Sequence, residues 1–193
     1  MAGSWLNGHW ARQGRVFGVS GEHGWMNSHA QVPTPLRLPD RLRVYFATRP
    51  EPGFSLPAYV DLDVNEPSRV LRLCERPLLD PGPPGSFDEH GIMPSAVVRE
   101  GSVVYLYYSG WSRCASVPYT NSTGLAVSRD GGDTFERAVP GPVLSRGPHD
   151  PYSATSPFVL RRGDGWRMWY CSGTAWPLID GKYEHVYDIK AAT

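Results

Sequence analysis

Apolar and polar positions alternate in short runs along this chain, and Gly, Pro, Asp and Asn separate the runs, as in strands joined by tight turns. Asp88–Gly110 is the fullest example. A polar opening (Asp88, Glu89, His90) leads through Pro94 into the apolar run Ala96-Val97-Val98. A charged turn, Arg99-Glu100-Gly101, follows, and a β-branched and aromatic run from Val103 to Tyr108 closes on Ser109-Gly110. Such side chains suit a pleated, half-buried surface, so the stretch predicts an antiparallel hairpin. The same order is written twice more, from Ser28 to Thr48 around Pro39-Asp40-Arg41 and from His149 to Gly173 around Arg162-Gly163-Asp164-Gly165. Tyr59–Val64, Thr123–Ser128 and Tyr187–Thr193 predict a third strand for each copy, Arg69–Leu73 a fourth for the first copy, and Arg15–Val19 a short strand ahead of them all.

The spacings agree. Pro94 precedes Gly110 by 16 positions, as Pro157 precedes Gly173; Pro35, Pro94 and Pro157 stand 59 and 63 apart. A period near 60 with about four strands per unit is the signature of a β-propeller blade. An immunoglobulin-like sandwich would also be rich in Gly and Pro, but it predicts no internal similarity. The expected fold is therefore all-β, a β-propeller of which about three blades are present. Residues 1–28 form an N-terminal segment, 29–85 a first blade, 86–147 a second, and 148–193 an incomplete third. Three such blades do not close a ring, so missing blades or another chain are expected to complete it.

Composition narrows the partners. With 21 Gly, 19 Pro and 12% aromatic residues in 193, a helical domain is disfavoured. Nineteen basic residues balance nineteen acidic ones, which leaves no electrostatic footprint for nucleic acid or an anionic membrane. No apolar run approaches a membrane span, and Met1–Asn7 lacks the basic and apolar regions of a signal peptide, so a cytoplasmic location is expected. Cys74, Cys114 and Cys171 are odd in number and widely spaced, which predicts free thiols. There is no His-Glu-x-x-His, Walker loop, nucleophile elbow or dinucleotide fingerprint, and no cofactor is expected.

Ser128-x-Asp130-x-Gly132-x-Thr134-Phe135 matches the Asp-box pattern, a turn in which the carboxylate accepts backbone amides and the aromatic residue plugs the blade; its expected role is structural. The chemistry is expected where the units open, because inner strands of a propeller line a common channel. Alignment on the prolines sets His29, Asp88 and Pro151 at one level and Gln31, His90 and Ser153 at another, with Asp150 and Tyr152 alongside. Carboxylates and imidazoles on a funnel floor, walled by Tyr108, Trp111, Tyr119 and Trp176, suit a sugar: carboxyls for acid/base work, aromatic faces for pyranose C–H groups. Asp88 and Asp150 are the candidate catalytic residues. His29, Gln31, His90, Tyr108, Trp111, Tyr152 and Trp176 are the candidate substrate-binding residues. A metal held by His29, Asp88 and His90 is chemically conceivable, but the three follow no recognised ligand spacing, and no metal is expected.

The repeat, with strands closing on Tyr107-Tyr108-Ser109-Gly110 and Trp169-Tyr170-Cys171-Ser172-Gly173, the Ser-x-Asp-Gly turn and Phe87-Asp88-x-x-Gly91 ahead of the second hairpin, resembles the five-bladed glycoside hydrolase superfamily of arabinanases, β-xylosidases, invertases, levansucrases and mannoside phosphorylases. The resemblance covers about residues 25–193, some three of five blades, and implies C-terminal truncation. It implies a carbohydrate-active enzyme that cleaves glycosidic bonds by carboxylate acid/base chemistry, with Asp88 as acid or base and Asp150 as its partner. Members carry acidic residues on the inner strands of the first three blades. Here His29–Pro35 holds no carboxylate, Met93 and Ser95 flank the second-blade proline, and the third unit offers Asp150 but no Glu. The alternative is a catalytically silent propeller that binds a glycan through the same funnel; a third possibility is a purely structural role.

Overall fold

A computed structural model describes residue 12 and residues 14–21, 23–50, 53–163 and 165–193. The Met1–Asn7 terminus, Trp5, Trp10 and the turn residue Asp164 lie outside the described residues. Strands β1 (Ser28–Arg37), β2 (Leu42–Arg49), β3 (Leu56–Leu62) and β4 (Val70–Leu73) form one antiparallel four-stranded sheet in sequence order. Strands β5 (Gly91–Glu100), β6 (Val103–Arg113), β7 (Tyr119–Ser128) and β8 (Glu136–Arg137) repeat that meander. The third unit has β9 (Ser153–Arg162), β10 (Gly165–Ala175), a small hairpin of β11 (Leu178–Ile179) and β12 (Lys182–Tyr183), and β13 (Val186–Ala192) against β10. A single parallel pairing, Ser122 with Ala154, joins the second sheet to the third. The fold is a partial β-propeller with β1, β5 and β9 innermost and neighbouring one another.

Two expectations change. Arg15–Val19 is not a strand; Val16, Phe17 and Val19 instead pack, partly buried, against the core, with Phe17 5.3 Å from Phe46 between ring centroids. The predicted third strand of the first blade starts earlier, at Leu56, because Leu56 and Pro57 pair with Thr48 and Ala47.

The proline alignment also shifts. The pairings Gln31–Ala47, Met93–Ser109 and Thr155–Cys171 recur at intervals of 62 residues, as do Thr34–Tyr45, Ala96–Tyr107 and Phe158–Trp169. Each inner strand bulges between these two pairs, and the prolines occupy different bulge positions: Pro94 stands level with Val32 and Ser156, Pro157 with Pro33 and Ser95. Proline has no N–H to give a ladder, so bulges accommodate it at either place. Val32 (φ 50°) and Ser156 (φ 51°) are left-handed at the equivalent position, an unfavourable conformation for a β-branched residue. On the corrected register Asp88 matches Asp150, His90 matches Tyr152, and Gln31 matches Met93 and Thr155. His29, at φ 67° beside a further register shift in β1, has no counterpart.

The main core lies between the first two blades. Leu36, Tyr45, Phe46, Tyr59, Val60 and Leu62 pack there with Ile92, Val104, Leu106, Tyr108 and Phe135. A buried ion network crosses the same seam. Arg43 donates twice to Asp61 (2.7 and 2.7 Å) and once to Asp133, stacks 3.7 Å from the Tyr59 ring centroid, and is fully buried. Desolvation opposes its charge, but the carboxylates outweigh it and raise the guanidinium pKa. Asp133 belongs to the turn after β7. There burial pushes the Asp130 carboxyl up, but hydrogen bonds from the Ser128 and Thr134 hydroxyls and the Asp133 and Thr134 amides hold it at about 2. Tyr45 reaches the Gly132 carbonyl from the first blade, so the turn is tied down at both ends.

Candidate functional site

Asp88 and Asp150 stand three residues ahead of equivalent strand starts, and each meets the tyrosine 20 positions later. Asp88 is 1% exposed. Its Oδ1 accepts from Ser86 (3.0 Å); its Oδ2 accepts from the Tyr108 hydroxyl (3.0 Å) and Arg137 Nε (2.9 Å). Arg137 sits on β8, so this carboxylate ties the start of the inner strand to the outermost strand of its own blade. Asp150, 7% exposed, receives Tyr170 (3.4 Å) and Lys190 Nζ (3.3 Å), and Lys190 also donates to the His149 carbonyl. The second copy is longer in its bonds and leans on an ammonium instead of a planar guanidinium.

Tyr108 lies in the core with its ring 6.0 Å from Phe87 and directly over Gly124, where any side chain would collide with it. Burial, then the Asp88 charge, raise its pKa. The structure therefore brings Tyr108 to Asp88 and away from the open surface.

The remaining candidates gather at the opposite ends of the hairpins from their tight turns. Trp111 donates its indole N–H to Ser55 Oγ (2.7 Å), which fixes the ring, and lies 5.9 Å from the His90 ring; His90 stacks on Phe54 at 5.5 Å. Gln31 accepts from Arg49 Nε (3.1 Å), and exposed His29 is bonded to Ser28 Oγ (2.7 Å). Tyr152 is exposed just before β9. Trp176 stacks on His185 at 3.9 Å, and Tyr119 and Tyr187 complete that aromatic cluster, their hydroxyls 3.4 Å apart. Gly173 allows this arrangement, because a Cβ there would strike the His185 ring and Ser153 Oγ. Burial lowers the His185 pKa, and among the described residues its buried Nδ1 has no hydrogen-bond partner.

Between these groups lies a cleft of about 360 Å³ lined by Arg49, Met93, Ser109, Trp111, Tyr119 and Asn121. Trp111 and Asn121 are directly paired across β6 and β7, so they share a sheet face. Arg49 and Trp111 stand 62 residues apart, at the same place on the second strand of successive blades. Of the lining residues, the sequence pointed to Trp111 and Tyr119; it missed Arg49, Met93, Ser109 and Asn121. The 62-residue register would have found Arg49 from Trp111 and Met93 from Gln31, and Ser109 is the strand partner of Met93. Among the described residues, no group of three or more His, Cys, Asp or Glu side chains is placed to hold a metal ion, and no helix is long and apolar enough to cross a membrane.

No protein-family model matches the chain. Two uncharacterised proteins of Mycobacterium tuberculosis, Rv1502 of strain H37Rv and MT1551 of strain CDC 1551, are each 37% identical over 178 residues, covering 92% of this chain and 59% of theirs. The chain thus spans about three-fifths of the length of the curated relatives it matches. Among solved structures, a glycoside hydrolase superposes with TM-score 0.60 at 16% identity, over 82% of this chain and 52% of that one. An exo-1,5-α-L-arabinanase from a bovine ruminal metagenomic library gives 0.56 at 12% identity, covering 88% and 55%. The Bombyx mori GH32 β-fructofuranosidase BmSUC1, as a mutant in complex with sucrose, gives 0.55 at 18% identity, covering 82% and 32%. The chain has the fold of the five-bladed propeller glycoside hydrolases, over part of that propeller.

Proposed function

We propose that this chain recognises carbohydrate in the cleft between Trp111, Tyr119, Asn121 and Arg49. The observation that carries the reading is the composition of that cleft: a fixed indole and a phenol beside an amide and a guanidinium, in about 360 Å³. Sugars are bound by just this combination of flat apolar faces and a few convergent polar groups, and the volume falls within the usual range for small-ligand sites. The fold shared with glycoside hydrolases supports the ligand class.

Hydrolysis with Asp88 and Asp150 as acid and partner is the second reading, favoured by their occupation of the same place in successive units. An acid/base carboxyl must reach the glycosidic oxygen or a water. Both Asp88 oxygens already accept protein donors, and the channel-level positions Gln31, Met93 and Thr155 carry no carboxylate. Recognition is the better supported of the two. Calorimetric titration of the chain with a panel of plant and bacterial oligosaccharides, alongside reducing-sugar release, tests it. We expect binding without turnover, and Trp111→Ala to weaken binding by about tenfold or more, the scale of one lost stacking platform. Binding indifferent to Trp111→Ala would contradict the reading.

A further inference from the structure

We infer that the sugar this cleft takes carries a single carboxylate, as a uronic acid residue does. The inference rests on the carbohydrate reading and concerns what the cleft selects. Among the described residues lining it, Arg49 is the one that carries a charge. Its Nε is held by Gln31 Oε1, which aims the guanidinium, while its terminal nitrogens meet no acceptor among the described residues. Glu89, two residues ahead of the second inner strand, is already engaged by the Gly85 amide (2.7 Å) and by His90 (3.4 Å).

A guanidinium in this state matches a planar carboxylate through two parallel N–H···O bonds. It balances one negative charge; the second charge of a phosphate monoester would be left without a counter-ion in the cleft. Asn121, paired with Trp111 on the neighbouring strand, adds a side-chain amide to the lining. The cleft thus offers a cation for an acid beside aromatic faces and an amide. A hexuronate presents an acid, hydroxyls and an apolar ring face that match them.

The test uses uronate-containing oligosaccharides and the same oligosaccharides after chemical reduction of each carboxyl to the neutral alcohol, titrated into the wild-type chain and Arg49→Gln. The wild type is expected to bind at least one acidic member about tenfold tighter than its reduced counterpart, the scale of a charge-assisted pair near solvent. Added salt is expected to shrink that ratio. Arg49→Gln, at an exposed position, is expected to bring the ratio close to one. Equal binding of acidic and reduced forms, or an undiminished ratio in Arg49→Gln, would overturn the inference and leave the carbohydrate reading standing. Absence of binding by either form overturns both.

Discussion

Between the first and second blades the interior is apolar and aromatic, and its buried charges are paired in full. Between the second and third it is made of hydroxyls. Thr123 donates to the Ala154 carbonyl (3.1 Å), Ser109 receives the Ser156 amide (3.0 Å), and Ser122 faces Ser145 (2.8 Å). Among the described residues, Thr155 Oγ1 and Ser172 Oγ are buried with no hydrogen-bond partner. The repeated carboxylate shows the same gradient, from Asp88 with a guanidinium to Asp150 with a lysine at 3.3 Å. A polar group taken out of water gives little net stability even when bonded and costs free energy when it is not. The first seam therefore holds the molecule together, and the second keeps polar side chains close to the end where the cleft opens. On the far side of the third blade, Phe158, Leu160, Trp169 and Ile189 are exposed.

The comparison can be broken by substitution. Asp61→Ala leaves Arg43 charged and buried, and a loss of about 3–5 kcal/mol is expected, since breaking one side of a buried pair costs far more than an exposed one. Urea unfolding checks it; a loss similar to that of a surface ion pair would mean the first seam is not where stability resides. Thr155→Val keeps the side-chain shape and removes a hydroxyl that has no partner, so a gain of about 1 kcal/mol is expected in the same assay. A loss would show that the second seam depends on that hydroxyl.

The smallest effect concerns acid. The folded Asp130 carboxyl, at about 2, lies below the ordinary value near 4. Ionised Asp130 therefore favours the folded state above about pH 4, and that contribution fades as pH falls through about 2. Because the group is largely exposed, the effect is expected to stay below about 1 kcal/mol. Stability measured between these pH values should decline less steeply in Asp130→Asn than in the wild type.

Much of this architecture is legible in the chain. Strand-forming runs around Arg99-Glu100-Gly101 and Pro39-Asp40-Arg41 mark the hairpins, and their repetition marks the blades. The register was not legible from prolines, because a residue without an N–H sits equally well at several bulge positions. Aligning on the turns instead sets Asp88 with Asp150 and Arg49 with Trp111. The ion network was hidden for another reason. Arg43 and Asp133 are 90 residues apart and Asp88 and Arg137 are 49 apart, and only the stacking of sheets brings them together. Tyr108 looked like a wall residue because strand alternation does not say which face of a blade meets its neighbour. Asn121 drew no notice beside Ser122 and Thr123; its value lies in being paired with Trp111.

The account separates a clamp from a cleft, and Asp88→Asn tests that separation most directly when stability and oligosaccharide affinity are measured on the same preparation. Removing the charge beside partly exposed Arg137 is expected to lower stability by up to about 3 kcal/mol. Affinity for the cleft ligand should stay within about twofold of wild type, well under the tenfold set by 1.4 kcal/mol. Unchanged stability together with lost affinity or lost sugar release would contradict the account and make Asp88 the working carboxylate.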